Sequence, residues 1–198
     1  MYIDMKVNGI NIEVLDGVYS PGDDTFLILD VIEEINVNGL KCIDVCCGTG
    51  VIGLKLLLKG ASLVLFTDIN VAAVKNSMLN YQLNREKILG TALFSLGDCL
   101  EHIKLGRFNL IACNPPYLPV NEDIQWSGGR VEGGLRIVEK IVNKISEEKF
   151  KGETFVVLST LSDSAKFERI VENERLQWDI VAERAFFYER IRVYRISR

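Results

Sequence analysis

The chain has 198 residues, 48% of them hydrophobic, which is enough for one sizeable core and too few for two comfortable domains. Its 23 basic residues against 27 acidic ones leave a formal charge of −4, so a general basic surface that binds nucleic acid by displacing counterions is disfavoured. Five cysteines without a CxxC pair and a single histidine speak against a zinc site and for buried thiols in a reducing compartment.

The first fifteen residues read as a hairpin, with Lys6-Val7, a turn at Asn8-Gly9, and Ile10 to Leu15 alternating apolar and polar. Pro21-Gly22-Asp23 breaks the chain, and Asp23 or Asp24 is placed to cap a helix carrying Phe26, Leu27, Leu29, Ile32 and Ile35. From Leu40 onwards strands and helices alternate. Leu40–Val45 is a short apolar run, Val51–Lys59 a helix stopped by Gly60, Leu63–Thr67 a strand and Val71–Leu83 a helix. Thr91–Leu96 and Phe108–Cys113 make two more strands before a Gly- and Pro-rich loop from Asn114 to Gly134. A helix at Leu135–Ser146 and a strand at Thr154–Thr160 follow, and Ser162 or Asp163 caps another helix. Trp178–Ala185 and Arg190–Ile196 close the chain as an antiparallel pair. This alternation predicts an α/β fold with a mainly parallel, doubly wound sheet, because helical crossovers return each strand in the same direction. The start, Met1-Tyr2-Ile3-Asp4, has no signal-peptide pattern, and no apolar run approaches the ~20 residues of a membrane span, so a cytoplasmic protein is expected. The arginines crowding the end (Arg184, Arg190, Arg192, Arg195 and Arg198) read as a solvated strand edge, with a local basic patch as the other reading.

Gly48, Gly50 and Gly53 spell GxGxxG after the first core strand, a pattern that several cofactors share. Asp44 lies four residues before it, where a carboxylate pointing into the ligand crevice would repel a pyrophosphate and attract an ammonium such as that of S-adenosylmethionine. Asp68, eighteen residues after Gly50 and at the end of the second strand, is placed to accept ribose hydroxyls. Asp98, after the third strand, is placed to accept from an adenine amine. Cys46, Ile69 and Cys99 flank these positions and join the candidate cofactor contacts.

Asn114-Pro115-Pro116-Tyr117 follows the fourth strand. Two prolines stiffen the loop and remove two backbone donors, and the amide before them adds an acceptor. The two hydrogens of a planar –NH2 group fit the Asn114 side chain and the Pro115 carbonyl, with Tyr117 fixing the plane. The nitrogen then attacks a sulfonium methyl in line, so catalysis is mostly positioning. Asn114 borders both substrate and cofactor, and Pro116 completes the substrate side.

The Asp44–Gly50 loop together with this tetrapeptide resembles the class I S-adenosylmethionine-dependent amino-methyltransferases. Val18 to Leu27, with Tyr19, Pro21, Asp24, Thr25 and Phe26, is similar to a segment of the glutamine methyltransferases that act on eukaryotic and archaeal class 1 release factors. Trp126 to Gly134 resembles a glycine-rich loop of the same family. The resemblance implies a seven-stranded Rossmann-like sheet and one methyltransferase domain over 1–198, with hairpin and lid helix in 1–38 and catalytic core in 39–198. It also implies that Tyr19, Pro21 and Thr25 close over the methionine part of the cofactor. The activity it implies is N5 methylation of the glutamine in a release factor's Gly-Gly-Gln loop. The alternatives are a methyltransferase acting on a base amine of RNA or DNA, and a non-catalytic cofactor-binding scaffold. The family's sheet order puts Thr91–Leu96 at an edge, uncharged and with Leu93, Phe94 and Leu96 spread over both faces. Such an edge invites another chain, and the resemblance supplies a small zinc-binding activator as partner.

Overall fold

The computed structural model describes residues 3–119 and 134–198. It opens with β1 (Ile3–Val7) and β2 (Ile10–Val14), an antiparallel pair turned by Asn8 and Gly9 with φ of 47° and 83°. Helix α1 (Asp23–Glu34) leads into β3 (Lys41–Val45), α2 (Val51–Leu58), β4 (Leu63–Asp68), α3 (Val71–Asn84) and β5 (Thr91–Leu96). The second half runs β6 (Leu110–Cys113), α4 (Arg136–Glu147), β7 (Glu153–Ser159), α5 (Ser164–Asn173), β8 (Gln177–Ala185) and β9 (Arg190–Ser197).

Seven strands form one sheet in the order β5-β4-β3-β6-β7-β9-β8, parallel except that β9 runs against both of its neighbours. From β3 the chain winds outward to β4 and β5, and from β6 it winds the other way. The carboxyl ends of β3 and β6 therefore flank the switch point where open α/β sheets bind ligands. Alternate residues of each buried strand feed two separate cores. Cys42, Leu110, Ala112 and Phe155 pack with α1 and α2, whereas Ile43, Val45, Ile111 and Cys113 pack with α4 and α5. The rings of Phe167, Trp178 and Tyr194 meet edge-on or tilted in the second core, so the partly buried Trp178 is core-facing.

The hairpin is held by an amide ladder. The fully buried side chains of Asn80, Asn76 and Asn84, on one face of α3, meet the outer edge of β2. Asn76 accepts from the Leu15 amide (2.9 Å), Asn80 from that of Glu13 (2.8 Å) and Asn84 from that of Asn11 (3.0 Å). Their amide nitrogens donate back to the Glu13 and Asn11 carbonyls. Four residues of helix rise about 6 Å and two residues of strand about 6.8 Å, so the two repeats stay in step over three rungs.

Several boundaries differ from the sequence expectation. Gly22, not an aspartate, takes the capping position of α1, and its amide donates to Thr25 Oγ1 (3.4 Å). Of the two expected caps of α5, Asp163 is the one that accepts from the Lys166 amide (2.9 Å), as the sequence allowed. The fourth core strand begins at Leu110, because Asn109 turns its side-chain carbonyl onto the Lys41 amide (2.9 Å). Residues 126–133 of the glycine-rich loop lie outside the described residues. Four of the five C-terminal arginines are engaged by carboxylates, and Arg198 donates to the Ser146 carbonyl (3.2 Å). Arg184 pairs with Asp30 and Asp23, Arg190 and Arg192 with Glu183, and Arg195 with Asp179 and Glu153. Among the described residues, no helix is long and apolar enough to cross a membrane.

Strand β5 is an edge strand, as expected, but its faces are unequal. Leu93 and Leu96 are about half exposed (46% and 55%), whereas Phe94 turns inward, stacked on Phe66 with ring centroids 5.0 Å apart and against Tyr81. Phe94 is therefore a packing residue, and the apolar surface of this edge is carried by the two leucines.

Candidate active site

A cavity of about 660 Å³ sits over the carboxyl ends of the central strands. It is bordered on one side by Gly17–Thr25 and on another by α4, and its size suits a small-molecule cofactor. Tyr19, Pro21, Thr25, Cys46, Gly48, Asp68, Ile69, Asp98, Cys99, Asn114, Pro115, Pro116 and Tyr117 all line it. Asp44 and Gly50 do not.

Asp44 corrects the expectation of a carboxylate in the crevice. It shares strand parity with Cys42, so its side chain passes beneath α2, fully buried, and Oδ2 accepts from the Gly53 amide (2.8 Å). Burial holds this carboxyl well above the usual range, and Oδ1 has no hydrogen-bond partner. Gly50, at φ 78°, is placed by packing, since a Cβ there would lie 2.7 Å from the Ser77 Cβ. Gly48 is the glycine that faces open space, where a Cβ would meet nothing nearer than the Cys46 carbonyl at 4.0 Å.

Asp68 ends β4 at the cavity wall. Its Oδ2 accepts from the Gly48 amide (3.0 Å) and Oδ1 from the Asn70 amide (2.9 Å), which fixes the carboxylate beside the glycine loop. Burial raises its pKa in spite of these donors. Exposed Ile69 adds an apolar surface next to it. Asp98 also lines the cavity, but its carboxylate is ion-paired with Lys140 of α4, which bonds Glu101 as well (3.3 Å). An adenine amine would share Asp98 with that ammonium. Cys46 and Cys99 hold left-handed φ values of 57° and 53°. Burial pushes the Cys99 thiol up, so it stays protonated.

After β6, Asn114 donates through Nδ2 to Thr25 Oγ1 (3.3 Å), while its Oδ1 is buried and unpartnered. Pro115 is buried. The Tyr117 hydroxyl donates to Asp24 (3.2 Å), and its backbone carbonyl accepts from Ser162 (3.0 Å), which secures the loop. Sequence reasoning gave Asp24 a capping role, yet the structure buries it in the cavity wall with the hydroxyls of Tyr19 and Tyr117 upon it. Burial, then the charge of Asp24, raises the pKa of both tyrosines, so both hydroxyls keep their hydrogens. Arg136 and Lys140, one helical turn apart on α4, are likewise site residues that no motif announced.

These residues fit S-adenosylmethionine. Asp68 offers a buried carboxylate to ribose hydroxyls beside the open backbone at Gly48, and Ile69 and Cys99 offer apolar contact to a flat ring. Comparison with known proteins agrees. The model of the methyltransferase small domain family matches residues 9–127. A Methanocaldococcus jannaschii protein, provisionally named a protein N5-glutamine methyltransferase, is 29% identical over 164 residues, covering 79% of each chain. The E. cuniculi Mtq2–Trm112 complex, described as methylating the eRF1 termination factor, contains a chain that superposes with a TM-score of 0.74 at 20% identity. That match covers 92% of this chain and 99% of the other. The T. thermophilus 16S rRNA N2 methyltransferase RsmC, solved with AdoMet and guanosine, superposes at 0.69 with 19% identity over all of this chain and 50% of its own. The chain belongs to the methyltransferase small domain family, and its cavity is consistent with the AdoMet cofactor with which RsmC was solved.

Proposed function

We propose that this methyltransferase modifies the N5 nitrogen of a protein glutamine, in the Gly-Gly-Gln loop of a class 1 release factor. The observation that carries the reading is Asn114 Oδ1, a buried acceptor without a donor at the wall of the cavity. A buried acceptor left unpaired costs about 1–3 kcal/mol, and an incoming N–H relieves that cost. A carboxamide –NH2 gives one hydrogen to Asn114 and the other to the Pro115 carbonyl. That leaves its nitrogen facing the cofactor, which supplies a methyl group on a positively charged sulfur. No general base is required of the chain, because the nitrogen sheds its proton after attack. The contribution of Asn114, Pro115 and Tyr117 is orientation.

The name of the M. jannaschii relative favours a glutamine, and the description of the Mtq2 complex a protein termination factor, over a nucleobase. So do Arg184, Arg190, Arg192 and Arg195, which are occupied by carboxylates rather than offered to phosphates. Mtq2 was solved with a partner chain, Trm112, which supports a partner here too; we propose that it is a small zinc-binding activator lying along β5, where Leu93 and Leu96 border the open strand edge. A cytoplasmic enzyme of translation termination follows from this reading. Its test is incubation with labelled cofactor and either a release factor or RNA, with and without the activator, the modified residue being located by mass spectrometry. Methyl transfer to a base amine in RNA, with none to glutamine, would replace this reading by the nucleic-acid one.

A further inference from the structure

Asp24 is 4% exposed, and four donors converge on it. The Thr25 amide lies at 2.6 Å, the Thr25 hydroxyl at 3.2 Å, the Tyr19 hydroxyl at 3.1 Å and the Tyr117 hydroxyl at 3.2 Å. With four donors upon it, this carboxyl group serves as the acceptor. The single hydroxyl hydrogen of Thr25 is therefore spent on Asp24, which leaves Thr25 Oγ1 with lone pairs alone. Two groups face those lone pairs, the Gly22 amide at 3.4 Å and the Asn114 side chain at 3.3 Å. Whichever end of the Asn114 amide meets Thr25 has to be a donor, so it is the NH2 end, and Oδ1 is left as the acceptor.

We propose that Asp24 is a positioning residue that acts through the Thr25 hydroxyl to dictate which end of the Asn114 amide is presented to substrate. This deepens the function proposed above and rests on it for the identity of the methylated group. The consequence is a choice of atom. A carboxamide has a nitrogen edge that donates and an oxygen edge that accepts, of nearly the same shape. With Asn114 Oδ1 and the Pro115 carbonyl as acceptors, only the nitrogen edge is bound at the reacting position. The tyrosine hydroxyls, both turned onto Asp24, offer no competing hydrogen. Were Asn114 reversed, its NH2 would bind the carboxamide oxygen and hold the wrong atom at the methyl donor. The same polarity excludes a glutamate side chain, which brings acceptors to acceptors.

Two substitutions break the relay at different links. Asp24→Asn keeps the shape but gives residue 24 a donor, so that the Thr25 hydroxyl is free to turn. Thr25→Val removes the middle link and leaves Asp24 intact. In protein carrying ¹⁵N-labelled asparagine with cofactor bound, one Asn114 side-chain proton is expected to be protected from solvent exchange in the wild type. It should lose that protection about tenfold or more in both variants. Turnover on a Gly-Gly-Gln peptide at saturating cofactor should fall about 10- to 100-fold in both, with the melting curve preserved. Unchanged Asn114 exchange in both variants overturns the relay, and so does a turnover loss at saturating cofactor that merely tracks an equal loss of stability. If the wild type ignores the peptide, the glutamine assignment fails, while the exchange measurement still decides the relay.

Discussion

Truncating Asn80 tests whether the amide ladder anchors the hairpin. The side chain accepts from the Glu13 amide at 2.8 Å and donates to the carbonyls of Glu13 and Thr49, both at 2.9 Å. Asn80→Ala deletes three bonds worth about 1 kcal/mol each and leaves the Glu13 N–H without its acceptor, a further ~1 kcal/mol. Alanine's better helix propensity returns up to about 0.7 kcal/mol. The balance is a loss of about 3 kcal/mol. For a chain of this size that lowers Tm by roughly 6–12 °C. Urea titration followed by far-UV circular dichroism reads the first number and a thermal scan the second. Native-state amide exchange should also show the Glu13 amide losing protection, since Asn80 is its recorded partner. Asn80→Asp should be worse still, because it places a carboxylate against two carbonyls. A loss below about 1 kcal/mol in Asn80→Ala, with Glu13 still protected, would show that the ladder geometry carries little of the anchoring.

Asp68→Ala should weaken cofactor binding by about 1.5–3 kcal/mol, the scale for a hydrogen bond to a charged group, and calorimetry showing unchanged affinity would assign the ribose to another residue. Asn114→Ala should nearly abolish methylation while leaving cofactor affinity within a few fold; retained turnover would refute alignment of the nitrogen by this amide. Leu93→Glu should break a one-to-one complex with the activator without changing cofactor affinity, whereas size-exclusion showing the complex intact would move the partner off β5. Asp44 has a folded-state pKa raised by burial, so its contribution to stability is fully present below the unfolded carboxyl range of about 4 and is lost as pH rises through the folded value. Asp44→Asn should therefore flatten part of the decline of Tm between mildly acidic and neutral pH, and an unaltered slope would show that Asp44 carries none of it.

The alternation of strands and helices, the tetrapeptide loop and the run of strand-end aspartates were legible because each is a local pattern. What escaped was decided by distance or by parity. In Lys41–Val45 both strand faces are buried, so nothing in the apolar run says which way Asp44 points. Its neighbour in register, Ala112 of β6, sits in a run equally apolar on both faces. Asn76, Asn80 and Asn84 look like ordinary polar residues of an exposed helix until β2, more than sixty residues earlier, is laid against them. Asp24 lies beside a helix breaker, where capping is the ordinary use of an aspartate, and only the return of Tyr117 from β6 reveals another. Lys140 stands on the polar side of an amphipathic helix, and its partner Asp98 is forty-two residues away.

The third glycine of the loop has a different kind of meaning. A Cβ at Gly53 would fall 2.3 Å from the ring of Phe66, so the absence of a side chain there is what lets α2 lie down on β4. Inactive alleles at Gly53 and at Gly48 would thus be alike in phenotype and unlike in cause. The first is a folding lesion, expected to be temperature-sensitive and suppressible by shrinking Phe66. The second meets no steric block and carries only the modest strain of a side chain at φ 51°, so it is chiefly a binding lesion, relieved in the main by more cofactor. Sorting alleles by temperature would separate the two demands that one short string of glycines combines.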